Sequence, residues 1–333
     1  MNDVPSAVGL PADKTRRLLA SAGLAPSVHN TQPWRFRLTP SAIELHTDPA
    51  RQLRVADPDG TELRLSCGAA LFNLRMALGQ LGVRPVVSIL ADRDDPGLIA
   101  RVHAGAAKAP SPEESGLALA IPQRHTNRRP FSDTPVDSAQ LHDLLMAAQH
   151  EQAWLHPVQE RVQRDELGQL AARAHRLQLA DPAFRAELGA WSGGSAAARH
   201  DGVPVRAGGP APGPRDVWML RDFTADRRPG HSESPGFEEE PLVAVLGANA
   251  DGPTGDVHAG QALQRVLLTA TVDGLAVSLI SQLIEVVEIR EQVRQLLGHA
   301  RLPLAVLRIG HGWPVTATPR RTVEDLVMAD QGT

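Results

Sequence analysis

The sequence predicts an α+β fold built from two similar halves joined in one chain. Segments with helical periodicity alternate with short apolar segments that resemble strands along the 333 residues. The helices of the two halves share a pattern of apolar residues and glycines. A polar stretch that contains prolines lies between the halves and predicts a linker at residues 109–118. We therefore expect halves at residues 1–108 and 119–333 that pack on each other like a homodimer.

Two pairs of predicted helices carry the internal repeat. At an offset of 126 residues, Leu10, Leu18, Leu19 and Ala22 match Val136, Leu144, Leu145 and Ala148. At an offset of 192 residues, Gly68, Ala70, Leu71 and Gly82 match Gly260, Ala262, Leu263 and Gly274. Unrelated amphipathic helices could share such a pattern, because it follows from helical periodicity alone. The similar order of elements in the two halves favours a duplicated domain.

The first half is predicted to contain three helices and three strands. In chain order these are a helix at 10–23, strands at 34–38 and 42–46, a helix at 61–81, a strand at 84–90 and a short helix at 98–106. Pro11 suits the first turn of the first helix, and Gly23 and Gly82 suit helix ends. Cys67, the single cysteine, falls within an apolar helical pattern. This position predicts a buried thiol rather than a nucleophile.

The second half begins with a strong helix signal, because Asp137 can cap a helix and Gln140 completes a capping box. The patterns predict helices at 137–149, 158–179, 183–191, 256–273 and 288–297, and strands at 242–246, 275–279 and 304–309. Residues 192–240 are rich in glycine and proline, and a stretch of this length is usually a functional lid or disordered. Trp218 and Phe223 could anchor such a lid or pack on the core.

The composition excludes several classes of function. A net charge of −4 gives no general attraction to nucleic acid, and a chain without tyrosine has little capacity for base stacking. No apolar run approaches the roughly 20 residues of a membrane span, and residues 1–10 lack a signal-peptide pattern. We therefore expect a cytoplasmic protein without a nucleic-acid or membrane partner. The thirteen histidines show no ligand spacing, which argues against a metal site.

A short segment at 124–129 concentrates positive charge ahead of the helix at 137–149. Arg124, Thr126, Arg128 and Arg129 place three guanidinium groups and one hydroxyl within six residues. Such groups suit a bound phosphate. An exposed basic turn is the alternative, because arginine is abundant here: Lys14 and Lys108 are the only lysines. The first half has no matching segment near residues 13–17, so we expect one binding site in each chain.

Three segments, in this order, resemble motifs of the nitroreductase family of flavoproteins. The first is the Ala-Pro-Ser-x-x-Asn-x-Gln-Pro-Trp loop at 25–34, and the second is the Arg-x-Thr-x-Arg segment at 124–128. The third combines 307–312 with the basic tail at 319–326. A duplication that retains a single FMN site beneath a lid is similar to the Acg-like branch of this family. The resemblance implies a nitroreductase-like fold, FMN as cofactor and a lid insertion at about 192–240.

The resemblance also implies which residues bind the cofactor. Arg124, Thr126 and Arg128 would surround the FMN phosphate or ribityl chain, and Arg320, with Arg321, would close that site. From the other half, Pro26, Ser27, Val28 and Asn30 would border the isoalloxazine ring. Ser281 and Gln282 would face its N5 edge. His29 is either a flavin neighbour or a solvent-facing turn residue, and we favour the solvent-facing position.

The implied activity is that of a monomeric, FMN-dependent oxidoreductase. It would pass hydride or electrons from a donor such as NAD(P)H to a small molecule such as a nitroaromatic or a quinone. No Gly-x-Gly-x-x-Gly follows a strand, so a separate nicotinamide-binding domain is not indicated. Two alternatives stay open: a flavoprotein that sequesters FMN with little turnover, and an oxidase or dehydrogenase of a specialised metabolite. The flavin itself carries the chemistry, so no catalytic side chain is required.

Overall fold

The computed structural model describes residues 4–90, 95–193, 199–210, 212, 216–223, 241–298 and 300–329. Two antiparallel four-stranded sheets organise this part of the chain. The first sheet contains β1 (Trp34–Leu38), β2 (Ile43–Thr47), β3 (Val83–Ile89) and β4 (Leu98–Ala107) in the order β1-β2-β4-β3. The second contains β5 (Ala153–Pro157), β6 (Leu242–Ala248), β7 (Ala276–Leu279) and β8 (Ala305–Gly310) in the order β5-β6-β8-β7. The two strand orders are identical, which confirms the α+β fold and its two similar halves.

Helices precede and interrupt the two sheets in the same way. α1 (Ala12–Gly23) and α4 (Ser138–His150) precede the first strand of each sheet. α2 (Thr61–Gln80) and α7 (Gly252–Val272) connect the second and third strands. The described helices that remain are α3 (Pro112–Ala120), α5 (Arg161–Ala180), α6 (Pro182–Ala190), α8 (Gln282–Glu285), α9 (Val287–Leu296) and α10 (Val323–Leu326).

α2 and α7 cross at the centre of the molecule, where Gly68 meets Gly260. A Cβ atom on Gly68 would lie 2.3 Å from the carbonyl oxygen of Val257, and one on Gly260 would lie 2.0 Å from that of Leu65. These two glycines match each other in the 192-residue offset of the sequence. The helices can approach this closely only because neither glycine carries a side chain.

The second sheet is covered on both faces, whereas the outer face of the first is partly open. One apolar cluster joins α4 and α7 to the second sheet, and another joins α5, α8 and α9 to its other face. In the first half, the core cluster lies between the sheet and the helices α1 and α2. β3 alternates half-buried and exposed residues. The additional helices of the second half thus have a defined role, since they cover the second face of its sheet.

One predicted element is wrong, and two elements were not predicted. Residues 98–106 form strand β4 rather than a short helix, because this strand pairs with β2 on one side and β3 on the other. The predicted linker at 109–118 contains most of α3, which was not predicted and in which Ser111 and Glu114 form a capping box. β5 was not predicted, and it pairs with β6 from Ala153 to Pro157. The division of the chain at 109–118 stays a prediction.

Two local predictions are confirmed, the capping box at Asp137 and the buried thiol of Cys67. Asp137 accepts hydrogen bonds from the backbone N–H groups of Ala139 and Gln140, which completes the predicted capping box. Cys67 is fully buried in the first core, and burial raises the pKa of its thiol. Within the described ranges, no helix is long and apolar enough to cross a membrane. The same ranges contain no group of three or more metal-ligating side chains suited to a metal ion.

Candidate functional site

The arginine segment and the loop at 25–34 meet at one cavity, although about a hundred residues separate them. This outer cavity has a volume of about 750 Å³, including its open mouth. Six of the predicted site residues line it: Ser27, Val28, Thr126, Arg128, Ser281 and Gln282. Both halves of the chain contribute to its walls. The structure shows that these six residues lie close together. Their roles in binding a cofactor stay predictions.

The second sheet holds the arginine segment in place. The backbone N–H of Asn127 donates to the carbonyl oxygen of Val277 on β7 over 2.9 Å. Arg308 is fully buried on β8 and donates to the carbonyl oxygen of Arg129 over 2.8 Å. Its guanidinium also lies over the ring of Phe131 at 4.1 Å. These contacts fix the backbone from which Arg124, Thr126 and Arg128 project.

Arg124, Arg128 and Arg320 form a cluster of cations, which we call the arginine cluster. Arg124 and Arg320 both donate to the carbonyl oxygen of Leu24 over 3.4 Å, and Arg128 donates to that of Ala207 over 3.0 Å. Burial, together with the charges of Arg320 and Arg128, lowers the pKa of Arg124 to about 9. The pKa values of Arg128 and Arg320 are likewise lowered to about 10, mainly by burial.

The arginine cluster has donors left over. The Nε atoms of Arg124 and Arg320 are buried and make no hydrogen bond. Among the described residues, no carboxylate forms an ion pair with any of the three arginines. Buried cations that repel one another and retain free donors fit a phosphate group, which would neutralise the charge and accept the hydrogen bonds. The arginine cluster therefore has the charge and the free donors that the phosphate of a cofactor requires.

Arg321 occupies a different place from the one expected. Its guanidinium donates to the carbonyl oxygens of Gln32 and Trp34, each over 3.1 Å, and lies 3.7 Å from the carboxylate of Asp48. Its backbone N–H donates to Oε1 of Gln32. Arg321 therefore fastens the C-terminal tail to the loop at 25–34 and is not part of the cavity wall.

The loop at 25–34 has an unusual backbone. His29, Asn30 and Gln32 have φ angles of 49°, 56° and 51°, in the left-handed region that side chains other than glycine seldom adopt. Asn30 links three segments, because its Nδ2 donates to the carbonyl oxygens of Gly202 and Pro319 and its Oδ1 accepts from Arg320 over 2.9 Å. Pro26 lines an adjoining cavity. Three non-glycine residues with positive φ angles in one short loop are typical of a binding loop.

His29 is buried, so the expected solvent-facing position is wrong. Its ring lines the outer cavity and makes an edge contact with Phe223 at 6.0 Å between centroids. Nδ1 is buried without a hydrogen bond. Burial, with the charge of Arg221, lowers the pKa of His29 to about 3. The imidazole is therefore neutral at physiological pH. The sequence offered no signal for this burial, because the contacting residues lie nearly 200 positions later.

Residues 205–210 and 216–223 cover one side of the cavity, and we call them the covering segments. They contribute Gly208, Pro210, Trp218, Arg221 and Phe223 to its lining. Gly209, with a φ angle of +82°, passes so close to Arg128 that a Cβ atom would lie 2.4 Å from its carbonyl oxygen. Much of the predicted lid, including Glu238 to Glu240, lies outside the described residues. Trp218 packs on the core and also lines the outer cavity. Its role as a lid anchor stays a prediction.

An ion pair fastens the second covering segment to α8. Arg221 donates to both carboxylate oxygens of Glu285, over 3.0 and 2.7 Å, and to Oγ of Ser281 over 2.7 Å. Gln178 accepts from Arg221 and donates to Glu285. Although burial opposes ionisation of Glu285, the adjacent Arg221 lowers its pKa to about 2. The sequence alone does not distinguish Arg221, Glu285 or Gln178, because each is one of many similar residues in the chain.

Comparison with known proteins shows the family of this chain. A model of the Nitroreductase family matches residues 121–311. Rv3131 of Mycobacterium tuberculosis, named as a candidate NAD(P)H nitroreductase, is 34% identical over 95% of this chain and 91% of its own length. Acg of the same organism, similarly named, is 30% identical over 91% of each chain. A crystal structure of a candidate nitroreductase from Anabaena variabilis covers 91% of this chain and 88% of its own, with 12% identity and a TM-score of 0.49. The chain therefore belongs to the nitroreductase family, and it is an oxidoreductase.

Proposed function

We propose that this oxidoreductase binds one FMN per chain and uses NAD(P)H to reduce a small electron-poor molecule, such as a nitroaromatic or a quinone. The arginine cluster is the observation that carries the proposal. It supplies buried, unpaired donors for a phosphate at the edge of a cavity that both halves line. The donor is proposed because the M. tuberculosis relatives are named as NAD(P)H nitroreductases.

The residues divide into two groups around such a cofactor. Arg124, Arg128 and Arg320 would hold the phosphate, with Thr126 beside them. Ser27, Val28, Ser281 and Gln282 would border the ring, with Pro26 and Asn30 shaping the loop behind them. Bound FMN would supply the hydride and electron chemistry, whereas the protein supplies binding, orientation and electrostatics.

The chain's own groups suit a ligand that gains negative charge. Arg128 lines the outer cavity, and its positive charge would stabilise an anion there, as preorganised cations do in other active sites. Neutral His29 adds a polar ring without a further charge. Phe223 and Trp218 keep water from one side of the cavity. Water exclusion strengthens each of these electrostatic interactions.

FMN sequestration is the second candidate function, and the Arg221–Glu285 ion pair favours it. That pair fastens the second covering segment over the outer cavity, which would slow the release of a bound ligand and the entry of a donor. Rapid mixing with NADPH under anaerobic conditions separates the two functions. Loss of the oxidised flavin absorbance within seconds is expected of a reductase, and an unchanged spectrum after many minutes supports sequestration.

Stoichiometry tests the cofactor itself. Purified protein should be yellow and release one FMN per chain on denaturation, as measured by absorbance and chromatography. Two FMN per chain would contradict the single site, and a colourless protein that also fails to bind added FMN would contradict the proposal. The monomeric state and the cytoplasmic location stay predictions; sedimentation analysis would test the first.

A further inference from the structure

A second cavity adjoins the outer cavity on the side of the central helices, and we call it the inner cavity. The space between its walls, including its open mouth, is about 390 Å³. The walls include the aliphatic side chains of Leu65, Leu263, Leu279 and Ile284. The two cavities share Ser27, Val28, Leu279 and Ser281. A ligand in the outer cavity therefore lies directly beside this apolar space.

One side chain in the inner cavity has an unsatisfied polar group. Glu62, in the first turn of α2, is only 6% exposed, and its Oε2 atom is buried without a hydrogen-bond partner. The other polar groups of the wall are already engaged. Ser66 donates to the carbonyl oxygen of Glu62, Ser27 accepts from the backbone of Gln32, and Ser281 accepts from Arg221.

The surroundings of Glu62 favour the protonated form of its carboxyl group. Burial raises its pKa, and the negative charges of Glu285 and Asp57 raise it further, against the weaker opposing effects of Arg221 and Arg290. A protonated carboxyl has one O–H donor. In an apolar cavity that donor has no partner until a ligand brings an acceptor. A buried donor without a hydrogen bond costs free energy.

We infer that the inner cavity binds an uncharged ring system and that Glu62 donates a hydrogen bond to an acceptor on that ring. The aliphatic walls exclude a charged group, and the single donor selects a carbonyl or ring nitrogen. The choice of a ring rests on the proposed function, whose cofactor and acceptors are ring systems. Two sources share this chemistry: the isoalloxazine ring of FMN and a separate quinone.

Two substitutions at Glu62 separate hydrogen bonding from shape. Glu62→Gln retains a donor of similar size, whereas Glu62→Leu fills the same space without one. Both variants should fold, because each removes a buried carboxyl group that has no partner. Glu166→Leu is the control, since Glu166 is exposed on α5 and lines neither cavity.

The probes are FMN, 1,4-naphthoquinone and naphthalene, measured by calorimetric titration with the apoprotein and the FMN-loaded protein. Naphthalene has the rings of the quinone but no acceptor. Loss of one hydrogen bond should weaken the recognised ligand about five- to tenfold in Glu62→Leu. Glu62→Gln and Glu166→Leu should bind it nearly as wild type does, and naphthalene should bind all variants alike.

The outcomes identify the source. Weaker FMN binding in Glu62→Leu, with no quinone binding to the loaded protein, assigns the inner cavity to the flavin ring. Unchanged FMN binding with weaker quinone binding to the loaded protein assigns it to a separate ligand. If Glu62→Leu binds every probe as wild type does, the inference is wrong, although the proposed function still stands. Failure of every variant to bind FMN would contradict the proposed function instead, and the apoprotein titration with quinone then decides the inference alone.

Discussion

At the scale of single residues, the environment of Arg124 is the strongest indication of an anion-binding site. Its guanidinium is buried among other cations, and its Nε atom has no acceptor. We predict that Arg124→Ala weakens FMN binding by about 1.5–3 kcal/mol, the value of a charge-assisted hydrogen bond. Fluorescence titration of the apoprotein measures this change. The same substitution should not lower the thermal stability of the apoprotein, because it relieves repulsion within the arginine cluster.

Arg129 provides the matched control for Arg124. It belongs to the same segment, but it is exposed and its side chain does not line the outer cavity. Arg129→Ala should leave the dissociation constant for FMN within a factor of about two, as expected for an exposed surface position. Equal losses in the two variants would show that the segment acts only through its general positive charge.

His29 gives a prediction that depends on pH. Its pKa is about 3 in the folded protein and about 6.5 when unfolded, so the unfolded chain binds the proton more tightly. Its contribution to stability is complete above pH 6.5 and falls as the pH drops toward 3. Wild type should therefore lose stability relative to His29→Asn by about 1 kcal/mol per pH unit below 6. Asparagine is chosen because it tolerates the left-handed backbone.

Urea unfolding between pH 7 and 4 measures this difference. Carboxylates titrate in the same range, but they are common to both proteins and cancel in the comparison. Parallel pH profiles for wild type and His29→Asn would contradict a neutral, buried imidazole.

Residues close together in sequence were the predictable part of the site. Arg124, Thr126 and Arg128 form a readable motif, because their spacing alone places three polar groups in one short segment. Glu62 and Arg221 could not be identified in this way. Their properties depend on burial and on partners from distant elements, such as Glu285, which a single sequence does not record.

At the scale of elements, local patterns predicted most helices and failed where tertiary pairing decides. Residues 98–107 contain alanines and an apolar spacing compatible with a short helix. They form a strand because β2 and β3 pair with them on both sides. Pro112 was taken as a sign of a loop, although proline is favoured in the first turn of a helix. Ser111 and Glu114 were the capping signal that could have revealed α3.

The second covering segment supplies an element-scale prediction. Arg221→Ala would remove the cation that neutralises buried Glu285, at a cost of about 3–5 kcal/mol for the unpaired charge. Without the ion pair, the second covering segment should separate from α8. FMN release should then become about tenfold faster or more. Stopped-flow dilution into an apoflavodoxin trap measures the release rate. Arg206→Ala, at an exposed position of the first covering segment, is the control and should release FMN as wild type does.

A double variant tests the reason for that effect. Replacing both partners, as Arg221→Met with Glu285→Leu, removes the unpaired charge and should recover most of the lost stability. If FMN release stays fast while stability recovers, the ion pair itself retains the ligand. Slow release in Arg221→Ala would mean that other contacts of the covering segments suffice.

At the scale of the whole molecule, the two halves contact each other through equivalent positions of α2 and α7. Arg64 on α2 and Asp256 on α7 stand at equivalent positions of the repeat and form an ion pair with each other over 2.8 Å. Nearby, Gln264 donates to Asn73 in a buried hydrogen bond of 2.7 Å. The outer cavity lies where the halves meet, so its shape depends on how closely the two helices cross.

The crossing of α2 and α7 gives the last prediction. In Gly260→Ala, the new methyl group would lie 2.0 Å from the carbonyl oxygen of Leu65, so the helices must separate. We expect a loss of about 3 kcal/mol in the free energy of unfolding, as for overpacking against a rigid neighbour. FMN binding should weaken in parallel, because the loop at 25–34 and the arginine segment belong to opposite halves. Gly79→Ala, on the partner helix α2, has open space around the new methyl group and should gain up to about 1 kcal/mol. Denaturant unfolding and FMN titration of both variants measure these effects, and equal stability of the two would contradict a close crossing at Gly68 and Gly260.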